Sequence, residues 1–193
     1  MKLSAKNICK TYDTNFVIRD FSCAYSTGDF IGIFGKNGSG KSTLIKLLSQ
    51  MILPDSGEIE TIPPSPGKYI VAPYSNLYAN LNIKEHAEFI ARAYETKFDK
   101  ALYFDLLKKL NLENFDNQIV KKLSSGTVQK AKIMLSFLSQ SDILFFDEPF
   151  SNLDEAGIST TIELIRQART NSLILMASNN IDDLAECNVV INI

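Results

Sequence analysis

The fold of this chain is decided by the stretch Gly35-Lys36-Asn37-Gly38-Ser39-Gly40-Lys41-Ser42-Thr43, which fits the G-x-x-x-x-G-K-[ST] pattern of a phosphate-binding loop. Residues 29–34, before the loop, are mostly apolar strand formers, and residues 44–48, after it, favour a helix. A strand, a glycine-rich loop and a helix in this order form the context that the pattern requires. The stretch therefore predicts an α/β domain that binds a nucleotide.

The backbone of this loop explains why glycines recur in it. Gly35, Gly38 and Gly40 can adopt conformations that are closed to residues with a Cβ atom, so successive N–H groups can converge on one anion. The positive end of the following helix points to the same place. We expect Lys41 to reach the β- and γ-phosphates and the Ser42 hydroxyl to ligate Mg²⁺. The alternative is a chance glycine-rich turn, which the flanking strand and helix disfavour.

A second segment, residues 143–148 (Ile-Leu-Phe-Phe-Asp-Glu), predicts the rest of the catalytic site. Its apolar residues predict a buried strand that ends in two carboxylates, and ligands of α/β sheets bind at the carboxyl ends of strands. Beside a phosphate-binding loop, Asp147 is placed to hold Mg²⁺. Glu148 is placed to orient or deprotonate the attacking water. A solvated acidic turn is the alternative, and the presence of Lys41 disfavours it.

Composition narrows the class of protein. The chain has 193 residues, a formal net charge of −2 and no basic block, so nucleic acid is not a favoured partner. Cys9, Cys23 and Cys187 are scattered and in no metal-binding spacing, which predicts reduced thiols in a cytosolic protein. The sequence shows no apolar signal region and no run of membrane-spanning length, so we expect neither secretion nor membrane insertion.

Periodicity predicts strands at both ends of the chain and helices between them. Residues 1–25 predict two short strands, the second of them broken near Asp20. Residues 69–72 form an apolar run that predicts a buried strand. Helices are predicted over about 126–139 and 155–169, and further strands follow them.

A helical insertion interrupts this nucleotide core. From Ile83 onward apolar residues recur at intervals of three and four residues, which predicts a helix. A second helix is predicted over about 100–110. We therefore read the chain as one domain, with a helical insertion at 74–122 and a core formed by 1–73 and 123–193. The only histidine, His86, falls in the first helix, and we expect it to be an ordinary surface or boundary residue.

Together these motifs resemble those of ATP-binding cassette proteins, the nucleotide-binding subunits of ABC transporters, over essentially the whole chain. Residues 35–43 resemble Walker A, and residues 143–148 resemble Walker B with the catalytic glutamate. Residues 123–127 (Leu-Ser-Ser-Gly-Thr) resemble the LSGGQ signature, and residues 151–154 resemble the D-loop. Tyr12 resembles the adenine-stacking aromatic residue of the A-loop, although by position alone it could equally cap the sheet edge.

The resemblance implies a fold and an assembly. The fold would be an ABC-type P-loop NTPase core with an N-terminal antiparallel β subdomain and an inserted helical subdomain. ATP and Mg²⁺ are the implied ligands, bound in a head-to-tail homodimer or in a heterodimer with another cassette. Ser124, Ser125 and Gly126 would then contact, in trans, the ATP held by the other subunit. From the residues alone they could simply cap a helix. The short chain is similar to compact haem-exporter and drug-exporter cassettes.

A membrane partner is implied as well. The family docks its membrane subunit on the helical insertion, and the exposed apolar candidates for that contact are Tyr74, Leu77, Tyr78 and Leu81. Packing within the insertion is the alternative role for these residues. The chain would be peripheral on the cytoplasmic face of the cell membrane and would hydrolyse ATP to drive a separate permease. Two alternatives stay open, namely an ATP-dependent dimerisation switch with little hydrolysis and a non-transport ABC ATPase.

Three positions depart from the family pattern. The family has a Gln just after the strand that ends near Ala72, whereas here there is no Gln and Asn76 could supply a similar amide. Asn179 replaces the switch histidine, and its amide can donate to a phosphate without carrying a charge. The signature has Ser125 and Thr127 in place of Gly and Gln. Because losing one positioned donor from such a site costs about 10²–10³ in rate, we expect slow hydrolysis that depends on Lys41, Asp147 and Glu148.

Overall fold

The computed structural model describes all residues 1–193 and contains eight strands, five α-helices and three short 3-10 helices. The strands are β1 (Lys2–Tyr12), β2 (Asn15–Ser26), β3 (Phe30–Phe34), β4 (Ser56–Ile62), β5 (Lys68–Val71), β6 (Ile143–Asp147), β7 (Leu173–Ser178) and β8 (Val189–Asn192). The helices are α1 (Lys41–Leu48), α2 (Ile83–Ala93), α3 (Lys100–Lys109), α4 (Ser125–Leu138) and α5 (Glu155–Ala168). The 3-10 helices are Glu113–Phe115, Val120–Lys122 and Ile181–Leu184.

An antiparallel sheet of three strands, in the order β2-β1-β4, covers one side of the core. Leu3, Ala5 and Ile8 of β1 are buried against that core. The predicted break near Asp20 is a bulge, because β2 continues through it and Asp20 adopts a φ of 48°. The Asp20 carboxylate accepts a hydrogen bond of 2.6 Å from the Asn7 amide of β1, which stabilises this irregular pairing.

The central sheet is fully parallel and has the strand order β5-β6-β7-β3-β8. Every residue of β6 and β7 is buried, as expected for strands that are covered on both faces. Helix α1 packs against β6 and β7, and α4 packs against β5. Since the strands are parallel, the loops that follow β3, β5, β6 and β7 all leave from the same edge of the sheet. This edge holds the candidate active site.

The helical insertion is built on α2 and α3, which pack with α4 around a second apolar cluster. Asn82 begins α2 with a capping box to Glu85, and Asp99 caps α3. No helix in the structure has the length and apolar character that a membrane span requires.

His86 is not the surface or boundary residue that the sequence led us to expect. Its side chain is 3% exposed and lies inside the insertion. Nε2 accepts a hydrogen bond of 2.8 Å from the Tyr78 N–H, and Nδ1 lies 2.7 Å from the Asn82 carbonyl oxygen. Both ring nitrogens therefore have backbone partners, and the imidazole connects α2 to the loop before it.

The expected exposed apolar residues of the insertion are mostly not exposed. Tyr74, Leu77 and Leu81 are only partly exposed, and Leu77 packs against the cluster of the insertion. Tyr78 alone of the four is open to solvent, with an exposed fraction of 60%. It stacks on His86 and meets the exposed ring of Phe89 edge-to-face at 5.8 Å. Tyr78 and Phe89 therefore form an exposed aromatic pair at α2, and Phe104 on α3 is a further exposed ring of the insertion.

Candidate active site

The predicted strand, loop and helix around Gly35–Thr43 are present as β3, the glycine-rich loop and α1. Gly38 has a φ of 82° and Gly40 a φ of 110°, backbone conformations that side chains rarely tolerate. Gly40 is also the residue that precedes the first turn of α1. The glycines thus let the loop turn sharply and aim the amino end of α1 into the groove above the sheet.

Lys41 lies at the bottom of this groove. It is buried, and its ammonium group donates hydrogen bonds to the carbonyl oxygens of Gly35 (2.8 Å) and Lys36 (3.2 Å). The same nitrogen is 3.4 Å from Oε1 of Glu148. The structure therefore brings together the cation and the carboxylate that lie 107 positions apart in the sequence.

Asp147 ends β6 and is buried with both carboxylate oxygens lacking a hydrogen-bond partner. Burial raises the pKa of Asp147, and the nearby Ser42 hydroxyl and Lys41 ammonium partly offset that rise. A buried carboxylate without partners is costly unless a positive group joins it. The carboxylate oxygens of Asp147 are therefore available to a bound cation.

The chain supplies only two oxygen ligands that suit Mg²⁺, so a bound nucleotide would have to supply others. Ser42 and Asp147 supply hard oxygen atoms, which Mg²⁺ prefers. No group of three or more His, Cys, Asp or Glu side chains is arranged to hold a metal. Mg²⁺ characteristically takes few protein ligands and completes its octahedron with phosphates and water. The sparse ligand set is thus that of a Mg²⁺–nucleotide site.

Glu148 follows directly and has a φ of 51°, which turns the chain sharply after the strand. Its N–H donates to the carbonyl oxygen of Ala177 in β7, which fixes this turn against the sheet. One side-chain oxygen faces Lys41, and the other is 3.5 Å from the Ser178 hydroxyl. The carboxylate is therefore directed into the groove.

Val17 of β2 forms the side wall of the same groove, together with residues of the glycine loop and Glu148. No sequence pattern marks Val17 as a residue of the site, because only the fold brings β2 over the loop. Tyr12 is at the end of β1, 47% exposed, with the Lys10 ammonium 5.9 Å from its ring centroid. It does not line the groove, so adenine stacking by Tyr12 stays a prediction.

Ser124, Ser125 and Gly126 lie at the start of α4, where Ser124 and Gly126 line a different pocket together with Asn152 and Asp154. The Ser124 hydroxyl caps the helix by accepting a hydrogen bond from the Thr127 N–H, and it lies 2.8 Å from the Thr127 hydroxyl. Ser125 is the first residue of α4 and has no positive φ, so its Cβ is tolerated. Within one chain, this segment is not part of the groove around Lys41.

Gly126 packs tightly against the segment that resembles the D-loop. A Cβ atom at this position would lie 2.7 Å from the carbonyl oxygen of Asn152. One turn further along α4, the Lys130 ammonium forms an ion pair of 3.0 Å with Asp154, which caps α5. The close packing of Gly126 and the ion pair of Lys130 together hold the start of α4 against residues 151–154.

Asn179 follows β7 and reaches the glycine loop from the opposite side. Its amide donates a hydrogen bond of 3.0 Å to the side-chain oxygen of Asn37. The neighbouring Ser178 hydroxyl donates to Asp183 at 2.6 Å, which fixes the end of the strand. The structure therefore places a neutral amide, rather than an imidazole, at the rim of the groove.

The loop after β5 differs from the expectation based on sequence. Asn76, the amide expected to contact the metal and water, is exposed. Tyr74 lies instead beside Asp147, and its buried hydroxyl has no hydrogen-bond partner. The Lys46 ammonium is 4.2 Å from the centroid of the Tyr74 ring. The sequence analysis missed both Tyr74 and Lys46 as residues of this site.

Comparison with known proteins decides the family. The family model described as "ABC transporter" matches residues 18–151, which is more than half of the chain. The chain belongs to the ABC transporter family. The matched ABC segment includes the glycine loop, the start of α4 and the two acidic residues that end and follow β6.

Named ABC relatives match nearly all of the chain. The ABC-type transporter ATP-binding protein EcsA of Bacillus subtilis (strain 168) is 30% identical, and the match covers 95% of this chain and 79% of EcsA. The ABC transporter ATP-binding protein YtrB of the same organism is 27% identical, with 96% of this chain and 66% of YtrB covered. The match thus spans about two thirds of the length of YtrB and about four fifths of that of EcsA.

Solved ABC structures share the fold. An ATP-binding subunit of an ABC transporter aligns with a TM-score of 0.90 at 24% identity, over all of this chain and 86% of that one. A dimeric bacterial ABC transporter cassette aligns with a TM-score of 0.87 at 19% identity, over 99% of this chain and 94% of that one. These likenesses confirm the predicted α/β architecture of an ABC ATPase.

Proposed function

We propose that the groove around Lys41 binds ATP and Mg²⁺ and hydrolyses ATP with Glu148 as the catalytic carboxylate. The observation that carries the proposal is the convergence of Lys41, Asp147 and Glu148 at one edge of the sheet, with Asp147 unpartnered. ATP phosphates would lie along residues 35–43, where the loop N–H groups and the end of α1 stabilise negative charge.

Each side chain would have one role. Lys41 would exchange its bonds to the Gly35 and Lys36 carbonyl oxygens for the β- and γ-phosphates. Ser42 and Asp147 would hold Mg²⁺, which supplies charge stabilisation for the transferring phosphoryl group. Glu148 would orient the attacking water or accept its proton.

The site would be completed by a second cassette. Ser124, Ser125 and Gly126 lie outside the groove of their own chain, at the amino end of a helix of fourteen residues. In a head-to-tail dimer that end would face the γ-phosphate held by the other subunit. The dimeric cassette with the same fold supports this arrangement. Either a homodimer or a heterodimer with another cassette satisfies it.

Hydrolysis is expected to be slow. Asn179 can donate a hydrogen bond to phosphate, but it adds no positive charge as the transition state develops. Its amide donates a hydrogen bond to Asn37, and that bond must break before Asn179 can reach a phosphate. This neutral residue is also the observation that favours the second candidate, an ATP-dependent dimerisation switch with little hydrolysis.

The membrane partner would dock on residues 74–122, with Tyr78 and Phe89 as the contact. Both rings are about half exposed or more, and they lie next to each other on the loop before α2 and on α2 itself. Exposed aromatic residues are enriched in protein interfaces. The chain would thus be peripheral on the cytoplasmic face of the membrane and would drive a separate permease, whose cargo the chain does not specify.

ATP turnover by the purified chain, compared with a Glu148→Gln variant, tests the proposal. We expect slow turnover that the substitution abolishes, together with an ATP-dependent dimer of the variant in size-exclusion chromatography with light scattering. ATP binding and dimerisation without turnover in the parent would support the switch. Turnover that survives Glu148→Gln would refute the assigned catalytic residue.

A further inference from the structure

The hydroxyl group of Tyr74 has no role in the binding of ATP by the glycine loop. Tyr74 lies three residues after β5, and Val71 at the end of β5 pairs with Phe146, the residue before Asp147. The hydroxyl oxygen is buried and makes no hydrogen bond, although the residue as a whole is only partly buried.

The ring of Tyr74 packs against Lys46 of helix α1. The Lys46 ammonium lies 4.2 Å from the ring centroid, within the range of a cation–π interaction. Lys46 follows Ser42 by one helical turn on α1, so both side chains lie on the same side of that helix. The phenol is therefore positioned relative to the phosphate-binding helix as well as to β6.

The backbone that carries Tyr74 is fixed as well. The Ser75 hydroxyl accepts a hydrogen bond from the Ala72 N–H and donates one to the Ala72 carbonyl oxygen, both at 2.9 Å. The ammonium of the buried Lys132, on α4, donates to the same carbonyl oxygen at 3.1 Å. These bonds restrict the turn to one conformation, and the hydroxyl cannot move to solvent without breaking them.

Packing alone does not account for the hydroxyl. A phenylalanine would give the same ring contact with Lys46 without a buried polar group, which costs about 1–3 kcal/mol when it is left unpartnered. Asp147, beside it, has two more oxygen atoms without partners. The Tyr74 hydroxyl thus faces the Asp147 carboxylate, close enough to orient it toward a bound cation.

We propose that Tyr74 is a positioning residue of the Mg²⁺ site, whose hydroxyl holds Asp147 and the water shell of the ion. The proposal rests on the proposed function, in which Ser42 and Asp147 hold Mg²⁺ with ATP. Tyr74 takes the role for which the sequence suggested Asn76. It does so with a hydroxyl donor instead of an amide.

The test is a Tyr74→Phe substitution in a Glu148→Gln background, which prevents hydrolysis during the titration. Binding of a fluorescent ATP analogue is measured first with EDTA and then against increasing Mg²⁺ concentration. Loss of an outer-sphere partner typically weakens metal binding about 10- to 100-fold, so the half-saturating Mg²⁺ concentration should rise by that factor. Analogue affinity in EDTA should stay unchanged, and the melting temperature should not fall, because the substitution removes a buried polar group.

Tyr78→Phe in the same background is the matched control, because it removes an exposed hydroxyl of the same type. It should leave the Mg²⁺ titration unchanged. An unchanged Mg²⁺ midpoint in Tyr74→Phe would overturn the inference, as would an equal loss of affinity with and without Mg²⁺, which indicates packing. A parent that binds no analogue at all would instead refute the proposed function.

Discussion

Gly126→Ala should weaken catalysis more than it weakens the fold. The added Cβ would lie 2.7 Å from the carbonyl oxygen of Asn152, whereas ordinary contacts begin at 3.4 Å. Because the contact is with backbone, α4 and the segment 151–154 must move apart by at least about 0.7 Å, which is the difference between these distances. The substitution therefore separates the proposed trans contact from the D-loop.

The expected magnitudes follow from this displacement. Overpacking of this kind costs about 1–3 kcal/mol, and the gain in helix propensity from Gly to Ala returns up to about 1 kcal/mol. A net loss of about 1 kcal/mol lowers the melting temperature of a domain of this size by about 2–4 °C. Misplacement by about 1 Å can cost 10²-fold in rate, so we expect turnover to fall at least about tenfold.

Thermal unfolding followed by circular dichroism and phosphate release under saturating Mg²⁺–ATP measure the two effects. Gly67→Ala is the matched control, since a Cβ there would meet its nearest atom at 3.5 Å and the residue has no positive φ. The control should retain both the melting temperature and the rate. Parent-like turnover in Gly126→Ala would refute the argument that the spacing of α4 and residues 151–154 matters for the reaction.

Three further predictions address single side chains. Asn179→His should raise turnover at least about tenfold in a phosphate-release assay, because it restores a donor that can carry charge; an unchanged rate would remove Asn179 as the cause of slow hydrolysis. Tyr12→Ala should weaken ATP binding by about 1–3 kcal/mol in a nucleotide titration, and Tyr12→Phe should not, since only the ring is needed for stacking. Burial raises the pKa of Cys23 to about 11 and that of Cys187 to about 12. Both should react slowly with iodoacetamide at pH 8 until the chain unfolds, as followed by peptide mass spectrometry. Since unfolded thiols ionise first, stability should fall as the pH rises above about 9.

The core of the site could be predicted from sequence because its parts depend on local pattern and on strand order. The glycine loop before α1 and the carboxylates that end and follow β6 each carry their own sequence signal. Once both strands belong to a parallel sheet, their carboxyl ends share one edge, and Lys41 must lie near Asp147 and Glu148. Helices α2 to α5 were predicted within a few residues for the same reason, namely a clear apolar period.

The residues that were missed depend on contacts that no local pattern encodes. Nothing in residues 72–78 tells which side chain points at Asp147, because this depends on how the turn after β5 is bonded to Ser75 and Lys132. His86 is buried because the Tyr78 N–H needs an acceptor at that point, a requirement set by the loop and not by α2. Chain direction in turns and the partners of buried polar groups thus have to be read from the structure.

The hydrogen bond from the Asn179 side-chain amide to Asn37 affects how the protein responds to acid. The single histidine of the chain is buried in the insertion, so the groove contains no side chain of the type that ordinarily changes charge between pH 5 and 8. An acid limb in the rate profile would therefore report a carboxylate and not an imidazole. The Asn179→His variant would add a second limb near neutral pH, a sensitivity to acid that the native chain lacks.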